Sequence, residues 1–234
     1  MTSRRKQLSR LLQELRSEGI ADARVLRAME KVPRALFVPP ECREQAYRNI
    51  PLPIGEGQSI SQPFVVALMT EALSLTGEEI VLEIGTGSGY QCAMLAELAR
   101  QVLSIELIPT LAEDASRRLR MLGYCNIEVR VADGCQGWPE RAPFQAILVS
   151  AGCPRVPQAL IRPACRWGEA GDPRGLALHA EPVRIQARTQ QDSHHRPGAG
   201  QVRAPRRRER LERTRTPHLS GNILALLQPP VDLR

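Results

Sequence analysis

The segment Ile80-Val81-Leu82-Glu83-Ile84-Gly85-Thr86-Gly87-Ser88-Gly89-Tyr90 constrains the fold of this chain more than any other. Ile80 to Ile84 read as a buried strand that runs straight into a glycine-rich turn, and Met94, Leu95 and Leu98 then recur at helical spacing. A strand, a glycine loop and a helix in that order place backbone N–H groups at the helix N-terminus, facing a ligand in the crevice of an α/β sheet.

The glycine spacing narrows the choice of ligand. The dinucleotide fingerprint G-x-G-x-x-G needs a third glycine where this chain has Tyr90; here the third glycine comes early, at Gly89. G-x-G-x-G preceded by an acid, Glu83, suits a nucleoside carrying an amino-acid tail better than one carrying phosphates. The next strand, Gln101 to Ile105, ends in Glu106, and an acid at that strand tip is placed to accept hydrogen bonds from ribose hydroxyls. S-adenosyl-L-methionine matches both features. A glycine loop can also be a plain turn; here the flanking strand, the helix and the acid at the next strand tip weigh against that reading.

Further elements fall on either side. Two helices are expected at about 5–18 and 22–31, then a proline-rich loop through Pro51-Leu52-Pro53-Ile54-Gly55, and a helix from about 63 to 74. After the 80–84 strand, the pattern predicts helix 89–100, strand 101–106, helix 109–122, strand 127–132 and strand 146–149. Strands alternating with helices predict an α/β, Rossmann-like fold with a doubly wound, mostly parallel sheet, truncated or disordered at the C-terminus. Ligands in such sheets bind at the carboxyl ends of the strands, where Gly85 to Gly89, Glu106, Asp133 and Ser150 all fall. The expected division is a helical and loop cap over 1–60, a nucleoside-binding α/β domain over 61–161, and a basic tail over 162–234.

Composition sharpens that division. The net charge is +7, yet residues 1–161 hold 18 Lys and Arg against 18 Asp and Glu, whereas residues 162–234 hold 14 Arg and 7 acids. The six cysteines show no C-x-x-C pair, which predicts buried free thiols in a reducing compartment. No run of about 18 apolar residues appears, and the N-terminus lacks the apolar core of a signal peptide. The expectation is a cytoplasmic protein that does not enter a membrane.

All four histidines lie beyond residue 162, so the globular part has no imidazole base, no Ser/His/Asp triad and no histidine metal site. Methyl transfer from a sulfonium fits, because the donor is already activated and alignment with exclusion of water is most of the task. An anionic carboxylate acceptor would not need deprotonating. Asp133-Gly134, just past the third strand, is placed to meet the adenine amino group; on sequence alone it is also a plain turn. Ser59 and Ser61 precede the 63–74 helix, where a serine is ordinarily an N-cap.

From about Arg24 to Leu160 the chain resembles the protein-L-isoaspartate (D-aspartate) O-methyltransferases, through RVLRAMEKVPRALFVPP, IPLPIGEGQSISQPFVVALMTEAL, VLEIGTGSGYQCAMLAEL and LGYCNIEVRVADGCQGWPERAPFQAILVSAG. The block PLPIGEGQSISQP is the specific part. The resemblance implies methylation of the α-carboxyl of L-isoaspartyl residues in damaged proteins and peptides, with S-adenosyl-L-methionine as donor. By position it implies that Ser61 orients the acceptor carboxylate. Gly85, Gly87 and Gly89 then surround the methionine part of the cofactor, Glu106 meets the ribose, and Asp133 with Gly134 meets the adenine. Two departures stand out: Glu56 where an aromatic or small residue is usual, and Gln145 at the position of the usual Phe-Asp. A monomer is expected.

After Leu160 the resemblance stops. IRPACRWGEAGDPRG and HHRPGAGQVRAPRRRERLER show almost no period-2 or period-3.6 pattern, and no uninterrupted strand is expected before Ile223. The composition matches a basic extension, but a change of reading frame near Arg162 accounts for it better. With GC-rich codons, RPACRWGEAGDPRG read one nucleotide onward can give DQLAAGGRLVIPVG, as the family would have there. On that reading the strand ending at Ser150 becomes an unprotected edge. Other readings are a different adenosylmethionine-dependent transferase acting on a small molecule, an RNA-associated chain using Arg203 to Arg215, and a dinucleotide oxidoreductase. The RNA reading is weakened by a tail with one aromatic for base stacking, Trp167, and the last by Tyr90.

Overall fold

A computed structural model describes residues 3–150 and two further strands, 184–189 and 222–227. The N-terminal helices are α1 (Ser3–Ser17) and α2 (Ala23–Lys31). Leu11, Leu12 and Leu15 bury one face of α1, and the Asp22 carboxylate caps α2 by accepting the Arg24 N–H at 2.7 Å. Two 3-10 turns follow, Arg34–Leu36 and Pro40–Gln45.

The proline-rich segment expected to be a loop is instead an antiparallel hairpin, β1 (Leu52–Gly55) with β2 (Gln58–Ile60). Its turn explains why: Glu56 and Gly57 have φ of 52° and 67°, both left-handed, as the favoured two-residue hairpin turn requires. Prolines 51 and 53 hid the strand pattern. Next come α3 (Pro63–Ala72), β3 (Ile80–Ile84), α4 (Tyr90–Ala96), β4 (Gln101–Glu106), α5 (Pro109–Met121), β5 (Ile127–Val131) and β6 (Ala146–Val149).

The sheet runs β5-β4-β3-β6 and continues through β8 (Asn222–Leu227) to β7 (Arg184–Thr189), every pairing parallel. The strand ending at Ser150 is therefore not the edge that the sequence predicted: β6 pairs with β8 from Ala146 opposite Asn222 to Val149 opposite Ala225. The apolar run Ile223 to Leu227 supplies the strand. Arg184 to Thr189 joins it outside, with apolar and polar residues alternating over a span too short to stand out by pattern. The change of composition and of reading frame expected near Arg162 lies outside the described residues.

β3 and β6 are buried along nearly their whole length, as central parallel strands covered on both faces must be. Val81, Val102, Ala146 and Leu148 pack on one face with Val65 and Met69 of α3, Leu73 just after it, and Leu95 of α4. The cap shares its core with the domain behind it, since Leu15, Val25, Met29 and Phe37 cluster with Tyr90, Cys92, Met94 and Leu119. Burial of the thiols is mixed: Cys42 and Cys92 are buried, but Cys125 and Cys135 are exposed. Among the described residues no helix is long and apolar enough to cross a membrane.

Candidate active site

The chain builds β3, β4 and β5 outward in one direction and then returns to place β6 on the other side of β3. That reversal makes a switch point, where connections diverge and leave a crevice at the carboxyl ends of the strands. The glycine loop, Glu106 and Ser150 are delivered there by β3, β4 and β6, and Asp133 follows β5 by two residues.

The loop is held from all sides. Gly85 donates its N–H to the Ile105 carbonyl at 2.8 Å, and its own carbonyl accepts the Ser150 hydroxyl at 2.7 Å. Gly87 donates its N–H to the Glu106 carboxylate at 2.8 Å, and the Ser88 carbonyl accepts from Arg118 at 2.6 Å. Gly89 is the left-handed N-cap of α4, with φ of 87°; a Cβ there would come within 3.2 Å of Leu119 and 3.3 Å of Ala115. The third glycine thus lets α4 start against α5, a packing reason for its early position.

The Glu106 side chain is buried, and its second oxygen accepts the Ile108 N–H at 3.0 Å. A carboxylate offers about four acceptor positions, so two backbone bonds leave it able to take a pair of hydroxyl donors. Asp133 caps a 3-10 turn through the Cys135 N–H at 2.9 Å, which holds its carboxyl below the usual aspartate range. It is exposed to solvent. Gly134 lies so close to the end of β3 that a Cβ would stand 2.3 Å from Ile84 Cγ2.

Glu83 sits elsewhere. Its register beside Ser104 across the β3–β4 ladder puts the carboxylate beneath the loop, fully buried. There it accepts the Cys92 thiol at 2.5 Å and the Ser104 hydroxyl at 2.7 Å, while Ser104 also meets the Thr86 hydroxyl at 2.6 Å. Burial pushes the Glu83 carboxyl up to about 7, against the pull of those two hydrogen bonds. Its other oxygen has no partner among the described residues. Glu83 therefore reaches the crevice only through the loop it supports.

Ser61, the candidate acceptor-side residue, lies between β2 and α3. Ser61 is not an N-cap: Gln62 occupies that position, and the first turn of α3 is held from a distance by Asn49, whose side-chain oxygen accepts the Phe64 N–H at 2.9 Å. Among the described residues the Ser61 hydroxyl has no hydrogen-bond partner, whereas its carbonyl accepts from Arg34 at 2.8 Å. Of the two departures, Glu56 accepts the Thr110 hydroxyl at 3.0 Å, tying the hairpin tip to the start of α5. Gln145 starts β6 by accepting the Ile80 N–H at 2.9 Å.

With this geometry in place, the comparisons decide the family. The model of the protein-L-isoaspartate (D-aspartate) O-methyltransferase family matches residues 6–167. The chain belongs to this family. The chain is similar to the protein-L-isoaspartate O-methyltransferase of Synechococcus sp., with 60% identity over 159 residues, covering 68% of this chain and 64% of that relative. A solved protein-L-isoaspartate O-methyltransferase superposes with a TM-score of 0.60 at 29% identity, over 67% of this chain and 51% of that one. A putative isoaspartate methyltransferase from Plasmodium falciparum, solved in complex with S-adenosyl-L-homocysteine, shares the fold with a TM-score of 0.56 at 24% identity. It matches 64% of this chain and 76% of its own. The chain thus spans less than two thirds of the Synechococcus relative and about half of the first solved structure.

Sequence reading missed Arg34, Asn49 and Tyr90 as parts of the site. The signal for Arg34 is a basic residue inside an otherwise apolar run, Val32 to Pro40; Asn49 and Tyr90 carry none, because their partners are far away in sequence.

Proposed function

We propose that this chain methylates the α-carboxyl of L-isoaspartyl residues in damaged proteins and peptides, using S-adenosyl-L-methionine, as a cytoplasmic monomer. The Glu106 carboxylate carries the reading: it is tied to the glycine loop through the Gly87 N–H and keeps acceptor capacity at the mouth of the crevice. The residues present fit the cofactor. Glu106 would take the ribose hydroxyls, Asp133 the adenine amino group and the glycine loop the methionine part, while the missing side chain of Gly134 lets the turn that carries Asp133 lie against Ile84. When bound there, the sulfonium supplies an activated methyl group.

The chain's own residues then have a modest task. Ser61 offers a hydroxyl that no other described residue engages, suited to donate to one oxygen of the acceptor carboxylate and leave the other as nucleophile. No base is needed, since an isoaspartyl carboxylate with an ordinary acid strength is already ionised at neutral pH; this agrees with the absence of histidine before residue 162. The backbone nitrogen of the following residue then attacks the methyl ester and expels methanol, closing a succinimide whose hydrolysis returns part of the damage to normal aspartate.

The test uses the full chain, a methyl-labelled donor and two peptides that differ only in carrying isoaspartate or aspartate. Base-labile methyl ester on the isoaspartyl peptide alone is expected. Equal labelling of both peptides, or labelling of neither, contradicts the proposal.

A further inference from the structure

Arg34 is the largest of the fully buried side chains, only 1% exposed, and no carboxylate among the described residues pairs with it. An unpaired buried charge is costly, and burial lowers the guanidinium below its ordinary range. Its bonds explain what retains it. Nε donates to the Ala46 carbonyl at 3.0 Å and Nη2 to the Ser61 carbonyl at 2.8 Å, while the guanidinium carbon stands 4.9 Å from the centre of the Tyr90 ring. Nη1 is buried without a partner among the described residues.

Tyr90 is the residue directly after the glycine loop. It is buried, and its ring meets Phe37 edge-on at 5.4 Å. One planar group thus touches both the segment that carries the acceptor serine and the first residue of the helix behind the donor loop. These two segments belong to separate elements, with α3 and β3 between them in the chain.

We infer that Arg34 is a positioning residue for methyl transfer: its fork of donors and its stacking on Tyr90 hold Ser61 in fixed relation to the glycine loop. The inference rests on the isoaspartyl methyltransferase reading. Guanidinium is suited to the task because its rigid plane donates at its edge and stacks on its face at once, which an ammonium cannot do. Displacement of a reacting group by about 1 Å can lower a rate by about 100-fold.

The experiment compares wild type, Arg34→Met and Arg34→Lys in the full chain. It uses an isoaspartyl peptide for kinetics, S-adenosyl-L-homocysteine for calorimetry and amide exchange for local order. In both variants kcat is expected to fall by about 10- to 100-fold, with the homocysteine analogue bound within about threefold of wild type, and exchange is expected to speed up at 64–66 but not at 85–89. Wild-type kcat in Arg34→Lys would show that charge alone suffices and overturn the inference; so would analogue affinity falling in step with kcat. If the wild-type chain methylates no isoaspartyl peptide, the functional reading fails by itself. The exchange data then decide on Arg34: faster exchange at 64–66 in both variants upholds the coupling, and unchanged exchange removes it.

Discussion

The proposed donor and acceptor sides of the crevice are built by different means. On the donor side, parallel register fixes where β3, β4 and β6 end, so Gly85, Glu106 and Ser150 reach the crevice as the last residues of a ladder or their immediate successors. Loop and strand tips are then bonded together, the Gly85 N–H to the Ile105 carbonyl and the Gly87 N–H to the Glu106 carboxylate. On the acceptor side, Ser61 lies in a connection between a short hairpin and α3, held by single side chains reaching from residues 34 and 49. Many shared bonds fix the first and a few unshared ones the second. Substitutions should therefore separate the two: donor-side changes act on cofactor affinity or stability, and acceptor-side changes on turnover.

The largest effect should come from the group beneath the loop. With its folded value raised to about 7 from the ordinary 4.5, Glu83 keeps its proton in the fold up to about pH 7. The folded state then binds the extra proton between those values, so the stability Glu83 contributes is complete below about 4.5 and is lost as pH rises through about 7. At about 1.4 kcal/mol per unit, the swing is on the order of 3 kcal/mol. Glu83→Gln, neutral throughout, should flatten the fall in melting temperature between pH 5 and pH 8; parallel profiles for the two proteins would place the titration elsewhere.

Next is Gly134→Ala, which sets a methyl 2.3 Å from Ile84 Cγ2. Overpacking of this kind costs about 1–3 kcal/mol. Because the clash displaces the turn that carries Asp133, S-adenosyl-L-homocysteine affinity, read by calorimetry, should drop together with the melting temperature. Unchanged affinity would mean that the turn after β5 lies clear of the adenine.

The smallest effect probes the other side. Asn49→Ala removes the acceptor of the Phe64 N–H at the start of α3, a capping loss of about 1 kcal/mol. Peptide turnover should fall while analogue affinity holds. Equal losses in both would erase the distinction between the two sides.

The same contrast governs what was legible beforehand. The bounds of β3, β4, β6 and α5 follow from apolar periodicity and glycine placement, and the structure agrees to within a residue or so. Those signals are local. α4 ends at Ala96 rather than near 100 because the Leu98 N–H turns back to Leu95 in a tighter turn that keeps the helical spacing of apolar residues. The hairpin was concealed by prolines, and Arg34, Asn49 and Tyr90 by partners 12 to 56 residues away. The acid of the glycine motif reads as a pocket residue from its position, but the ladder turns it under the loop, where Cys92 and Ser104 engage it.

Calorimetric titration of S-adenosyl-L-homocysteine into wild type and Glu106→Ala tests the donor pocket most directly. Glu106, the last residue of β4, accepts the Gly87 N–H of the loop and the Ile108 N–H that follows the strand. Charge-assisted bonds of this kind are worth about 1.5–3 kcal/mol, so the variant should bind about 10- to 100-fold more weakly. Equal affinity in the two proteins would contradict the account, because the nucleoside would then lie somewhere other than the tips of β3 and β4.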